Sequence, residues 1–157
     1  MYLKKRNAFT MLELVFVIVV IGILSAVAIP KFSQNRDDAV IAKAKATVAA
    51  VRSALATERQ KRILRGDFTP ITSLNSNGNP NVFSRFNAAQ DGTVSDVIEY
   101  AITNCADLGM AQGCWSMPNA TTYRFMMPLV GNADFNITNN RFTCMLPLSD
   151  NCRLLTQ

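Results

Sequence analysis

The chain contains no histidine. This absence excludes a Ser-His-Asp triad, a Cys-His nucleophile pair and any imidazole ligand to a metal. The four cysteines form no C-x-x-C pair, which also disfavours a zinc site. Charge is sparse, since Asp, Glu, Lys and Arg make up only 17% of the 157 residues. The composition therefore favours a structural or binding protein over an enzyme, and we predict no catalytic residue, no metal ligand and no cofactor.

The apolar residues are concentrated near the N-terminus. Residues 14–29 carry no charge, and residues 9–29 form a stretch of 21 residues that only Glu13 interrupts. A helix of this length can cross the ~30 Å hydrocarbon core of a bilayer. The positive-inside rule keeps the basic residues 4–6, which precede it, in the cytoplasm. The predicted topology places the N-terminus inside and the C-terminal region outside.

Three interpretations of this segment compete. Ala26-Val27-Ala28 supplies a small-x-small site, so a signal peptidase could release an exported soluble binding domain after Ala28. Without cleavage, the chain would be a single-pass anchored periplasmic protein. Neither interpretation explains Glu13, because a carboxylate in a membrane helix costs about 2.5–3.5 kcal/mol near the bilayer centre and usually marks a pairing partner.

The third interpretation rests on a motif at the start of the chain. Residues 4–14 read KKRNAFTMLEL, and the apolar run continues through Gly22 to Pro30. This pattern resembles the class III signal of type IV pilins and type II secretion pseudopilins. In that family a prepilin peptidase cuts before the Phe and methylates the new amine. The resemblance places the cut between Ala8 and Phe9, with Ala8 where the family usually has Gly.

The resemblance also implies a role and a set of partners. The chain would be a structural subunit that polymerises with its own copies and with other pilins or pseudopilins. A prepilin peptidase and an inner-membrane assembly platform would act on it, and nucleic acid would bind only to a DNA-uptake filament. The precursor would lie in the bacterial inner membrane, and the assembled filament in the periplasm or outside the cell. Family filaments can lose helicity between positions equivalent to Gly22 and Pro30.

Glu13 acquires a partner in this interpretation. Cleavage before Phe9 leaves an amine, which is a cation in the apolar core of a filament. Glu13 of an adjacent subunit can neutralise this cation, but only when the two subunits have the correct axial offset. The ion pair therefore sets the register between subunits. The competing interpretation is that Glu13 snorkels to the lipid headgroups.

The residues after Pro30 predict a long amphipathic helix joined to a small domain. Apolar residues recur at steps of three and four from Val40 to Leu55, and Gly66 is expected to end the helix in a left-handed conformation. We therefore expect an α+β, pilin-like fold in which a helical spine over residues 9–65 packs on an antiparallel sheet. The expected segments are a leader (1–8), a transmembrane or filament-core segment (9–30), an amphipathic helix (31–66) and a head (67–157).

The head shows signals of a loop, a helix and three strands. Residues 69–93 are rich in Asn, Gly, Pro and Ser and predict an exposed loop, whereas Ser95 is expected to cap a short helix over 96–104. Strands are predicted over 122–129, 134–137 and 141–146, the last two as a hairpin around residues 138–140. The sheet should pack on the apolar face of residues 40–55.

The cysteines of an exported domain predict two disulfides. Three pairings of Cys105, Cys114, Cys144 and Cys152 are possible. We favour Cys105 with Cys114 and Cys144 with Cys152, because each pair closes a short loop beside a predicted element.

Three weaker signals remain. Asn136 begins an N-x-T sequon with Asp134 two residues before it, which resembles a bacterial glycosylation acceptor, although both residues could simply begin the hairpin. Asp150 and Asn151 could supply oxygen ligands to calcium, as the C-terminal loop does in major pseudopilins. The basic residues at the end of the long helix could contact DNA, but a solvated helix face is the preferred interpretation. They are Arg59, Lys61, Arg62 and Arg65.

Overall fold

A computed structural model of the protein describes residues 9–76, 80–105, 109, 110, 112–129 and 131–157, without the side chains of residues 30 and 32–34. The elements in chain order are α1 (Met11–Leu64), β1 (Cys114–Asn119), β2 (Thr122–Met126), β3 (Asn132–Thr138), β4 (Arg141–Cys144) and α2 (Asp150–Thr156). The chain divides into two compact units, Met1–Arg36 and Asp37–Gln157, which are described separately. The predicted leader, including Ala8, lies outside the described residues.

Helix α1 matches the predicted spine to within two residues at each end. It ends in a Schellman motif, in which Gly66 adopts φ 76°. The Asp67 N–H donates to the Arg62 carbonyl and the Gly66 N–H donates to the Ile63 carbonyl, both at 2.9 Å. Glycine fits this left-handed position because it has no Cβ to clash, and the predicted cap is therefore confirmed.

The second unit has its core between α1 and the sheet, as predicted. The apolar stripe of α1 contributes Ala44, Val48, Val51 and Leu55, each no more than 2% exposed. Opposite it lie the aromatic side chains of the sheet, among which Phe135 and Phe142 stack with ring centroids 4.9 Å apart. Burying these large side chains supplies most of the hydrophobic stabilisation of this unit.

The four strands form an antiparallel meander in the order β1-β2-β3-β4. The predicted hairpin is confirmed as β3 and β4, and its turn residues Asn139 and Asn140 have φ 53° and 59°. Two consecutive left-handed residues make a type I′ turn, for which Asn is well suited. Strand β1 was not predicted. It contains Pro118, which is tolerated because β1 lies at the sheet edge.

The prediction of an exposed loop over residues 69–93 is wrong in part. The segment is irregular, but five of its apolar side chains are 0–2% exposed and complete the core. Phe83 is the clearest example, since its ring lies 5.0 Å from Trp115 and 5.3 Å from Tyr123 by centroid. It has φ 59°, a conformation that a bulky residue rarely adopts, and this packing compensates for the strain. These five residues are Ile71, Leu74, Val82, Phe83 and Phe86.

The predicted helix over residues 96–104 is wrong. This segment forms isolated bridges to the preceding loop instead, with Val82 and Ile102 exchanging two backbone hydrogen bonds of 2.6 and 2.9 Å. The Val97 N–H donates to the Ser84 carbonyl at 3.1 Å. A nine-residue helix is marginal in water, so pairing with a neighbouring segment prevails over the local helical pattern.

Both favoured disulfides are present, Cys105–Cys114 and Cys144–Cys152. The second bridge joins β4 to α2. Helix α2 was not predicted. The Ser149 hydroxyl caps α2 by accepting the Cys152 N–H at 3.3 Å, and Cys152 and Leu155 are buried. The sequence signal was a Ser followed by Asp in the first turn, but seven residues are too few for a helical periodicity to show.

Candidate functional site

The predicted assembly residues lie at the start of α1, in the first unit. Thr10 precedes the first helical residue, and its Oγ1 accepts the Glu13 N–H at 3.2 Å. The Thr10 carbonyl accepts the Leu14 N–H at 3.2 Å. Thr10 and Glu13 therefore have the spacing of a capping box, a signal that the sequence contained and that our prediction did not use. The helix dipole also favours a carboxylate in this first turn.

The Glu13 carboxylate lies among apolar side chains. Leu12, Phe16 and Val19 line the same surface groove, which has a volume of about 540 Å³. Glu13 forms no salt bridge with any residue that the structure describes. Phe9, four residues earlier, is 80% exposed. No cation of the described part of the chain therefore pairs with Glu13.

The apolar stretch that follows exposes its side chains in the described part of the chain. In the described part of the chain, Met11–Ile29 is long and apolar enough to cross a membrane. Its large side chains are solvent-exposed in the single chain; Phe16 and Ile29, for example, are each 69% exposed. An exposed apolar surface of this length needs a bilayer or other apolar helices to cover it.

Gly22 and Pro30 lie within this continuous helix. A Cβ added at Gly22 would meet nothing within 4 Å, so packing inside the chain does not require glycine there. Pro30 lacks the N–H that would bond to the carbonyl four residues earlier. The loss of helicity between these positions concerns the assembled filament and stays a prediction.

The preferred interpretation of the basic residues at the end of α1, a solvated helix face, is wrong for Arg62. Its side chain is 0% exposed, and its Nε donates to Glu58 Oε1 at 3.1 Å. Its other nitrogens donate to the carbonyls of Thr69 and Asn87, which fastens the 69–93 segment to α1. Arg65, in contrast, is half-exposed and pairs with Asp91 at 3.3 Å. The sequence could not separate the two arginines, because their burial depends on the path of the later loop.

Asp67 fastens the same segment from the end of α1. Its carboxylate accepts the N–H groups of Thr69 at 2.7 Å and Gln90 at 2.9 Å. The hydroxyl of Thr69, followed by these backbone donors, lowers the pKa of Asp67 from 3.8 to about 2. Each of these hydrogen bonds favours the charged form of the carboxyl.

We expect this carboxylate to make stability depend on acid pH. Because its pKa is lower in the folded state than in the unfolded chain, its contribution is complete above about pH 4 and is lost as the pH falls through about 2. The variant Asp67→Asn should be less stable at pH 7 and should lose less stability over that interval. Urea unfolding of the full chain in detergent measures both, with the exposed Asp38→Asn as the matched control. An unchanged acid slope in Asp67→Asn would contradict this assignment.

Residues of the predicted glycosylation sequon, and Asn151 of the predicted calcium ligands, form contacts within the chain. Asp134 forms a bidentate pair with Arg124 at 2.7 and 2.8 Å, and Asn136 Oδ1 accepts the Thr143 hydroxyl at 3.1 Å. Asn136 is half-buried within β3 rather than at its start, and its glycosylation remains untested. Asn151, in the first turn of α2, donates to the Asn132 carbonyl at 3.3 Å. Among the described residues no group of three or more His, Cys, Asp or Glu could hold a metal ion.

Two comparisons with known proteins found a match, one of them placed at the N-terminal segment. The family model described as the prokaryotic N-terminal methylation motif matches residues 3–29. The chain is also similar to the Type IV narrow pilus major component PilA5 of Thermus thermophilus, with 52% identity over 52 residues. That alignment covers 33% of this chain and 45% of that relative, so the chain spans less than half the length of the protein it matches. No solved structure matches the chain.

These matches agree with the resemblance on which the third interpretation rests. The matched motif includes Ala8, Phe9 and Glu13 and extends to the end of the apolar stretch. The structure adds an apolar helix, a four-stranded antiparallel sheet and two disulfides, which is the expected pilin-like α+β fold. The N-terminal segment of the chain therefore carries the prokaryotic N-terminal methylation motif, and the chain is similar over part of its length to a type IV pilus component.

Proposed function

We propose that the protein is a structural subunit of a type IV pilus or of a type II secretion-like pseudopilus. The observation that carries this proposal is the exposed apolar surface of Met11–Ile29, with the Glu13 carboxylate at its start, four residues from Phe9 and paired with no described cation. A peptidase cut between Ala8 and Phe9 would place a cation one helical turn before Glu13. Parallel helices packed in a filament would then cover the apolar surface and pair amine with carboxylate between neighbours.

The two alternatives account for less of the molecule. Release after Ala28 would cut α1 inside a continuous helix and discard Glu13 with the apolar segment. A single-pass anchor would retain the segment but would leave the carboxylate without a partner. The methylation motif, which extends across the proposed cut, supports processing at Phe9 over both. As a filament subunit the chain would act through assembly, not catalysis.

Recovery of surface filaments tests this proposal. In the organism that encodes it, the chain should appear in the fraction sheared from the cell surface or in periplasmic filaments, as detected by antibody labelling and electron microscopy. Deleting the prepilin peptidase should move the full-length precursor into the membrane fraction. A chain found only as a soluble monomer, in cells with and without the peptidase, would contradict the proposal.

A further inference from the structure

A groove of about 610 Å³ on the second unit is lined by three arginines. One wall is the face of α1 that carries Arg52 and Arg59, and the other is the β3–β4 turn with Arg141. The buried side chains of Leu55 and Phe142 lie between these walls. Among the described residues that line it there is no Asp or Glu, so the groove carries three unbalanced positive charges.

The arginines are positioned but not neutralised. Arg52 Nε donates to the Phe142 carbonyl at 3.2 Å, which holds its guanidinium beside the groove. Arg59 makes one long contact, 3.5 Å, to the Thr69 carbonyl, and Arg141 is exposed. None of the three forms a salt bridge within the part of the chain that is described. Guanidinium groups held in this way suit bidentate binding of carboxylates.

The complementary charges lie on the same helix. Asp37 and Asp38 are adjacent, Asp38 is exposed, and neither forms a salt bridge with a described residue. Asp38 precedes Arg52 by 14 residues and Arg59 by 21, which is about 21 and 32 Å along a helix. A side chain cannot bridge that distance, so the acidic pair cannot reach the groove of its own chain.

We propose that the arginine groove receives Asp37 and Asp38 of a second copy of this chain. This contact rests on the proposed filament function, because it requires parallel copies displaced by about 21–32 Å along the helix axis. The displacement brings two carboxylates beside three guanidinium groups, and the apolar floor lowers the local dielectric. Subunits are then joined through their second units as well as through their apolar helices.

The charge balance favours this occupant over a nucleic acid. Residues 37–157 contain eleven Lys and Arg against ten Asp and Glu, a net charge of +1. A nearly neutral surface provides little of the long-range attraction on which phosphate binding depends. A confined basic groove with a matching acidic pair elsewhere on the surface is the pattern of a heterologous contact between copies.

Charge reversal in the full chain tests this contact. The acidic variant carries Asp37→Lys and Asp38→Lys, and the groove variant carries Arg59→Glu and Arg141→Glu, with Arg52 retained for its backbone contact. Each variant should reduce recovered filament by about tenfold or more, because like charges then face each other. The variant that combines all four changes should recover most of the wild-type yield. Lys43→Glu and Glu99→Lys, which change exposed charges outside the groove, are the controls and should assemble normally.

Photo-cross-linking supplies a readout that misfolding cannot imitate. A benzophenone amino acid at the exposed groove residue Ala56 should form dimer adducts in wild-type filaments, and their peptides should contain residues 37–38 of another copy. The contact would be overturned if both reversal variants assembled fully, or if the combined variant failed to recover. Adducts at residue 56 that contain only nucleic acid or another protein would also overturn it. Wild-type cells with no filament containing the chain would instead overturn the proposed function.

Discussion

Replacing Glu13 by Val or Gln should leave membrane insertion intact and should remove most filament assembly. Membrane insertion becomes more favourable when the charged side chain in the apolar segment is replaced by an uncharged one. Filament assembly becomes less favourable, because a subunit without this carboxylate offers no partner for the Phe9 amine of its neighbour. Breaking a buried ion pair by deleting one partner costs about 3–5 kcal/mol, enough to depopulate a polymer near its assembly threshold. Membrane fractionation measures insertion, and the yield of sheared filament measures assembly.

The structure requires a control for helix capping in this experiment. Glu13 lies three residues after Thr10, whose hydroxyl caps α1 by accepting the Glu13 N–H at 3.2 Å. Gln can serve a capping box as Glu does, so a cap effect would spare Glu13→Gln and a charge effect would not. Thr10→Ala removes the capping hydroxyl and should cost only about 1 kcal/mol. Wild-type filament yield from Glu13→Val expressed alone would contradict the pairing and would favour a snorkelling carboxylate.

Arg62→Met should destabilise the second unit by about 3–5 kcal/mol, because it leaves the Glu58 charge buried and unpaired. The side chains of Arg62 and Glu58 are 0% and 4% exposed, so solvent cannot replace the lost partner. The same change releases the carbonyls of Thr69 and Asn87, which arginine holds against α1. Urea unfolding of the full chain in detergent at neutral pH gives the free energy of unfolding.

A double variant separates the loss of the pair from the loss of packing. Glu58 Oε2 is buried and has no hydrogen-bond partner among the described residues, so the wild-type pair is incompletely satisfied. Combining Arg62→Met with Glu58→Leu should therefore restore much of the lost stability. The exposed neighbour Lys61→Met is the matched control and should change stability by less than about 0.5 kcal/mol. An Arg62→Met variant as stable as this control would contradict a structural role for the buried pair.

The features predicted correctly are those with local causes. Gly66 ends α1 through its own left-handed conformation, and the Asn139–Asn140 turn sets the β3–β4 hairpin. Each cysteine pair closes a short loop, which made its partner predictable. The N-terminal motif that the family model matches is likewise linear, since it lies within residues 3–29. For such features the sequence contains the physical determinant itself.

The features that were missed depend on contacts between distant residues. The segment around Val97 has a helical pattern but bonds to the Ser84 carbonyl instead, and Phe83 is buried although its neighbours are those of a loop. Arg62 resembles its exposed neighbours along the helix until the 69–93 segment covers it. Short-range patterns do not contain this information, because tertiary packing overrides local propensity.

The mass of the mature N-terminus tests the central claim most directly. Intact-mass and N-terminal peptide analysis of the protein from its own organism should find a chain that lacks residues 1–8 and begins with N-methylated Phe9. Such a product leaves the whole apolar stretch and Glu13 on the subunit, as assembly through α1 requires. A chain beginning at Ile29 would show release by a signal peptidase, and one retaining residues 1–8 in assembled filaments would show that no amine forms at Phe9. Either result would contradict the account.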